Sequence, residues 1–153
     1  MKIIEGNYSC SNHKFAIVLS KYNDFIVQKL LDGAIDCLKQ YECPEENIDV
    51  IKVPGAYEIP LAAEKLAEKN IYNAIICLGA VIRGATPHFD YVAGAASSGI
   101  LKISLKYKIP ISFGVLTTNN VEQAIERSGS KSGNKGWEAA LTAIEMADLM
   151  TKI

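Results

Sequence analysis

Short apolar runs alternate along this chain with stretches where apolar residues return every three or four positions. Lys14-Phe15-Ala16-Ile17-Val18-Leu19-Ser20 has the length and composition of a buried strand. Asn23 then offers an N-cap, and Val27, Leu30, Leu31, Ala34 and Leu38 recur at helical spacing. Ile48 to Val53 reads as a second strand, ended by Pro54-Gly55, and Glu58 to Lys69 as a helix with Leu61, Ala62 and Leu66 on one face. Ala74 to Ala80 is apolar throughout, as a central parallel strand covered on both faces should be. Tyr91, Val92, Ala95, Ala96, Ile100 and Ile103 trace the next helix, and Ile111 to Leu116 a fourth strand. Val121 to Arg127 and Trp137 to Leu149 give two last helices around a glycine-rich break, Gly129 to Gly136. This alternation predicts one doubly wound α/β domain over residues 1–153, with an extra N-terminal strand from Ile3 to Tyr8 that could belong to a neighbouring subunit.

Composition narrows the class. Of 153 residues, 49% are apolar and 22% charged, and 16 basic residues against 17 acidic ones leave a net charge of -1. That balance lacks the basic footprint of a nucleic-acid binder. The apolar run from Ala74 to Ile82 is too short to span a bilayer, and the first residues lack the apolar core of a signal peptide. The expected location is therefore the cytoplasm. Cys10, Cys37, Cys43 and Cys77 show no CxxC spacing, and two histidines are too few to complete a metal site, so the cysteines read as small core residues.

In a doubly wound sheet, ligands bind beyond the carboxyl ends of the strands, which directs attention to loops 54–58, 80–88 and 113–120. Gly79-Ala80-Val81-Ile82-Arg83-Gly84-Ala85-Thr86 has the frame of a P-loop, but Ala85 stands where the phosphate-clamping lysine belongs. A nucleotide site is therefore disfavoured. A strand, a glycine-bearing loop and a helix start still leave free N–H groups that suit a small anion. His88, at that helix start, is a candidate proton carrier, whereas His13 reads as a surface residue. Glu58 is either a polyol acceptor or a first-turn carboxylate favoured by the helix dipole. Tyr22 and Phe113 are placed to stack on a flat heterocycle or to serve as core. Arg127 suits a phosphate, while Lys131 and Lys135 share the glycine-rich loop that follows it.

These segments together resemble the 6,7-dimethyl-8-ribityllumazine synthase family over nearly the whole chain. The resemblance rests on Tyr22-Asn23, on Val53 to Pro60, on Leu78 to Tyr91 with its Gly84-Ala85-Thr86-Pro87-His88 segment, on Phe113 to Thr117, on Glu122 to Arg127 and on Gly133 to Gly136. It implies a flavodoxin-like three-layer α/β/α fold with a mostly parallel four-stranded sheet. It also implies a cofactor-free and metal-free condensation of 5-amino-6-(D-ribitylamino)uracil with 3,4-dihydroxy-2-butanone 4-phosphate. By the same resemblance His88 shuttles protons, and Ala85, Thr86 and Arg127 hold the phosphate with Lys135 in support. Tyr22 and Phe113 sandwich the pyrimidine, while Ala56, Tyr57, Glu58, Ala80, Val81 and Ile82 contact the ring and ribityl chain. Family members form pentamers with sites between subunits. The Gly129 to Gly133 linker looks like that of members that close a sixty-subunit icosahedral shell, some in association with riboflavin synthase. Tyr22 and Tyr57 stand where phenylalanine is common, which keeps stacking and adds a hydroxyl. A non-catalytic flavin- or lumazine-binding module of the same fold is the alternative, and it leaves His88 and Arg127 without a task.

Overall fold

The structure, a computed structural model, describes residues 1–129 and 133–153. Four strands form one all-parallel sheet in the order β2-β1-β3-β4: β1 is Phe15–Ser20, β2 Ile48–Val53, β3 Ala74–Ile82 and β4 Ile111–Thr118. The connecting helices are α1 (Asp24–Gln40), α2 (Ile59–Glu68), α3 (His88–Tyr107), α4 (Val121–Arg127) and α5 (Lys135–Met150). A short 3-10 turn, Ala56–Glu58, precedes α2. The expected three-layer architecture is therefore present.

The central strands lack polar alternation because both of their faces are covered. Phe15, Ile17 and Leu19 of β1, with Ile76 and Leu78 of β3, pack under α1 and α5. Ala16 and Val18, with Ile75 and Cys77, pack under α2 and α3. Each of these side chains is at most 3% exposed, so successive residues bury into opposite cores. Helices α1 and α5 approach so closely that a Cβ on Gly136 would meet the backbone of Leu30, so only glycine fits there.

Several boundaries differ from the sequence reading, each for a local reason. Asn23 precedes α1 but caps nothing with its side chain: it sits in the left-handed region at φ 62°, and its Nδ2 donates to the Ala80 carbonyl at 3.1 Å. Asparagine tolerates that backbone better than most residues. β4 runs two residues past the apolar stretch, through Thr117 and Thr118, which suit a strand as β-branched residues. α5 starts at Lys135, because Asn134 accepts a hydrogen bond from the Trp137 N–H at 3.0 Å and so caps it. Residues Ile3 to Tyr8 add no strand to this chain's sheet. They run instead along α5, where the Asn7 N–H donates to Asp148 at 2.6 Å and the Tyr8 hydroxyl to Glu145 at 3.2 Å. His13 is half-buried rather than a surface residue, with its Nδ1 shut away from solvent beside the edge of Phe15. All four cysteines are buried and reduced, as expected of core residues. Lys131 lies outside the described residues.

Candidate active site

A cleft of about 490 Å³ opens at the carboxyl ends of β1 and β3, bounded by the 54–58 loop and the first turn of α3. Backbone geometry builds its first wall. The N–H groups of Lys21 and Tyr22 donate to the carbonyls of Val53 and Pro54 at 2.9 and 3.2 Å, tying the end of β1 to the loop after β2. The Tyr22 ring then lies so close to Gly55 that any Cβ there would sit 2.7 Å from it. This contact is what requires glycine at position 55. Both Tyr22 and Tyr57 keep their rings largely exposed to the cleft, at 69% and 62%, which leaves their faces free for a planar ligand.

Glu58 is a first-turn carboxylate whose Oε2 accepts the Gly55 N–H at 3.0 Å, capping the 3-10 turn, and the residue also lines the cleft. The capping bond fixes the carboxylate and leaves Oε1 available to a hydroxyl. Ala80, Val81 and Ile82 supply the floor, and the Asn23 bond to Ala80 joins floor to wall.

His88 is the first residue of α3; it is exposed and faces the cleft together with Tyr91 and Val92. The sequence reading assigned these last two to a packing stripe, because their spacing fits one. The first turn of α3 overhangs the cleft, however, so part of that stripe lines the opening. Ala85 and Thr86 are exposed in the loop that leads to His88, and no side chain caps the N-terminus of α3. That end keeps unpaired N–H groups, as an anion site needs. Arg83, by contrast, is engaged within its own chain: its guanidinium lies over Phe89, hydrogen-bonds Asn119 at 3.1 Å and pairs with Asp90 at 3.6 Å.

Ala85 and Thr86 are not among the residues that line this cleft, and three further expected site residues lie away from it. Phe113 does not end a strand; it is the third residue of β4, paired with Cys77, while Ala80 of the floor pairs with Leu116. Three rungs place it about 10 Å back along the sheet. There it is 40% exposed on the open edge strand. Arg127 ends α4, exposed and without an ion-pair or hydrogen-bond partner among the described residues. Lys135 opens α5 and pairs with Glu138 at 3.2 Å. The antiparallel bridge Ser128–Asn134 brings Arg127 and Lys135 to adjacent positions. One aromatic ring and two cations thus lie on the β4 side, away from the lining of the cleft.

A second cleft, about 560 Å³, lies between α1 and the turn before α5, lined among others by Lys29, Asp32, Asp36 and Trp137. Though larger, it holds neither an imidazole nor a strand-end loop, so the smaller one is the candidate site. No group of three or more metal-ligating side chains occurs among the described residues, and no helix there is long and apolar enough to cross a membrane.

A family model described as 6,7-dimethyl-8-ribityllumazine synthase matches residues 12–151. Two relatives of that name, from two strains of Clostridium kluyveri, are each 55% identical over 153 residues, covering 100% of this chain and 99% of theirs. A match that takes in every strand, the cleft and the remote cations together places the chain in the 6,7-dimethyl-8-ribityllumazine synthase family, a family of transferases of riboflavin biosynthesis.

Proposed function

We propose that this chain condenses 5-amino-6-(D-ribitylamino)uracil with 3,4-dihydroxy-2-butanone 4-phosphate at a site shared by two copies. One copy supplies the cleft and the other supplies Phe113 and Arg127. The observation that carries this reading is the division itself. The cleft has a wall, a floor and a proton carrier but no cation among its lining residues, and Arg127, with Phe113, stands on the β4 side of the same chain.

The pyrimidine lies against Tyr22, with Phe113 of the neighbouring copy on its other face. Backbone groups of Ala56, Tyr57, Ala80, Val81 and Ile82 hold the ring edge, and Glu58 accepts from the ribityl hydroxyls. The butanone phosphate sits on the N–H groups near Ala85 and Thr86, with Arg127 of the neighbour closing a bidentate contact and Lys135 adding positive charge. The 5-amino group attacks the ketone, and loss of water gives an imine. Phosphate then leaves as a proton is removed from the adjacent carbon, producing an enol. After tautomerisation to the ketone, the ribityl-bearing nitrogen attacks it, and a second water departs as the ring closes. His88 carries protons to and from these centres, and holding the two substrates together lowers the entropic cost of the first step. No metal or redox cofactor takes part in this scheme.

The family likeness supports a homopentamer, since a cyclic head-to-tail interface sets the cleft of each copy against the β4 side of the next. It further suggests a sixty-subunit icosahedral shell, association with riboflavin synthase and a cytoplasmic location, with no nucleic-acid or membrane partner. The activity is tested by mixing purified protein with both substrates and following lumazine absorbance and released phosphate. Equimolar formation of the two well above the spontaneous rate is expected. A rate equal to the spontaneous background would refute the assignment.

A further inference from the structure

The loop between β3 and α3 has little of its own to hold it. Gly84, Ala85, Thr86 and Pro87 are all exposed, and Gly84 stands in open space. Arg83, just before them, is fixed by its backbone, since its N–H donates to the Thr118 carbonyl of β4 at 2.8 Å. Its guanidinium then crosses the base of the loop to the residues on the far side. It lies 4.4 Å from the centroid of the Phe89 ring and 3.6 Å from the Asp90 carboxylate, both in the first turn of α3. Nε donates to Asn119 Oδ1 at 3.1 Å. Both partners are themselves held. The Asn119 N–H donates to the Gln123 side chain of α4 at 2.8 Å, and Phe89 is half-buried against the core under α2 and α3. One planar group thus ties the end of β3, the residue after β4 and the start of α3 together around the loop.

We propose that Arg83 is a positioning residue whose guanidinium holds the 84–88 loop in the shape that receives the butanone phosphate. The inference rests on the proposed function, in which that loop takes the phosphate. Two simpler roles fit the geometry less well. A direct phosphate ligand would face the cleft, but Arg83 is not among the residues that line it, and its donors are directed to Asn119 and Asp90. A surface ion pair would matter little, since the Arg83 and Asp90 side chains are 47% and 63% exposed and water screens such pairs. What another cation does not reproduce is the plane. A guanidinium stacks on a ring by its face and donates from its edge at the same time, whereas an ammonium is a compact charge on a flexible stem. The consequence falls on one substrate. The wall for the pyrimidine is built elsewhere, by the bonds of Lys21 and Tyr22 to Val53 and Pro54 and by the Glu58 cap. Loosening the loop spreads the N–H groups near Ala85 and Thr86 and so weakens the hold on phosphate.

Arg83→Lys removes the plane and keeps the charge. In steady-state assays on the assembled enzyme, KM for the butanone phosphate should rise about tenfold, and KM for the pyrimidine should change by less than about twofold. Inorganic phosphate, used as a competing probe, should inhibit the variant about tenfold more weakly. Asn119→Ala takes away the partner of Nε. It should raise the same KM about threefold and add nothing in the Arg83→Lys background, because the two side chains act as one unit. Amide hydrogen exchange, read by mass spectrometry without substrates, should be about fivefold faster over residues 84–90 in Arg83→Lys and unchanged over 54–58. Wild-type KM values in Arg83→Lys would reduce the role to charge, and equal rises in both KM values would reduce it to general stability. Either result overturns the proposal, as does unchanged exchange over 84–90. Exchange does not depend on turnover, so an inactive wild-type enzyme would refute the proposed function while the hold of Arg83 on the loop is still decided.

Discussion

His88 shows how much a single residue is asked to do. Its imidazole faces the cleft from the start of α3, where the proposed reaction calls for a proton carrier. General acid–base catalysis is worth roughly 10²–10⁴-fold, but imine formation and ring closure proceed readily on their own. His88→Ala should therefore lower kcat by about 10²-fold, the low end of that range, with KM for the pyrimidine little changed. A variant with wild-type kcat would remove His88 from the chemistry. The residue types around the cleft were legible in the sequence because strand-end loops are where such folds place ligands. What could not be read was conformation. Asn23 has the composition of a cap, yet its left-handed backbone turns the side chain onto Ala80. Tyr91 and Val92 have helical spacing, which cannot tell a core stripe from one that overhangs an opening.

At the scale of elements, the strands were legible wherever both faces are covered, as β1 and β3 are. The edge strand β4 was harder. Its apolar run stops at Leu116 but its pairing continues to Thr118, so the strand ends two residues beyond the point that the apolar pattern marks. A polar clamp that no periodicity reveals secures the other end of the sheet. The Tyr72 hydroxyl donates to Asp49 of β2 at 2.7 Å, and Lys14, just before β1, pairs with the same carboxylate at 3.2 Å. The bond from Tyr72, opposed by some desolvation and reinforced by Lys14, holds the Asp49 carboxyl below its ordinary range. A depressed folded pKa means that this contribution is present above the unfolded value of 3.8 and is lost as pH falls through the folded one. Burial, then the bond to Asp49, pushes Tyr72 up to about 12, so at the alkaline end the contribution persists to about 10 and fades toward 12. Tyr72→Phe should cost about 1 kcal/mol at neutral pH, measured by denaturant unfolding, and the deficit should shrink in acid. An equal deficit at pH 7 and pH 2.5 would show that the clamp does not act through the Asp49 charge.

At the scale of the molecule, the proposed site is divided between two parts of the chain. The cleft of Tyr22, Glu58 and His88 lies over β1 and β3, while Phe113, Arg127 and Lys135 lie along β4 and at the facing ends of α4 and α5. In the proposed function, joining two copies brings them together. Co-expression of Arg127→Ala chains with His88→Ala chains under two different tags, followed by isolation of the mixed assemblies, tests this directly. Each variant alone should lose at least tenfold in turnover at low butanone phosphate. With random mixing, about a quarter of the interfaces set an intact cleft against an intact Arg127, so the mixture should recover roughly a quarter of wild-type turnover. Turnover no higher than the mean of the two separate variants would contradict a site divided between subunits.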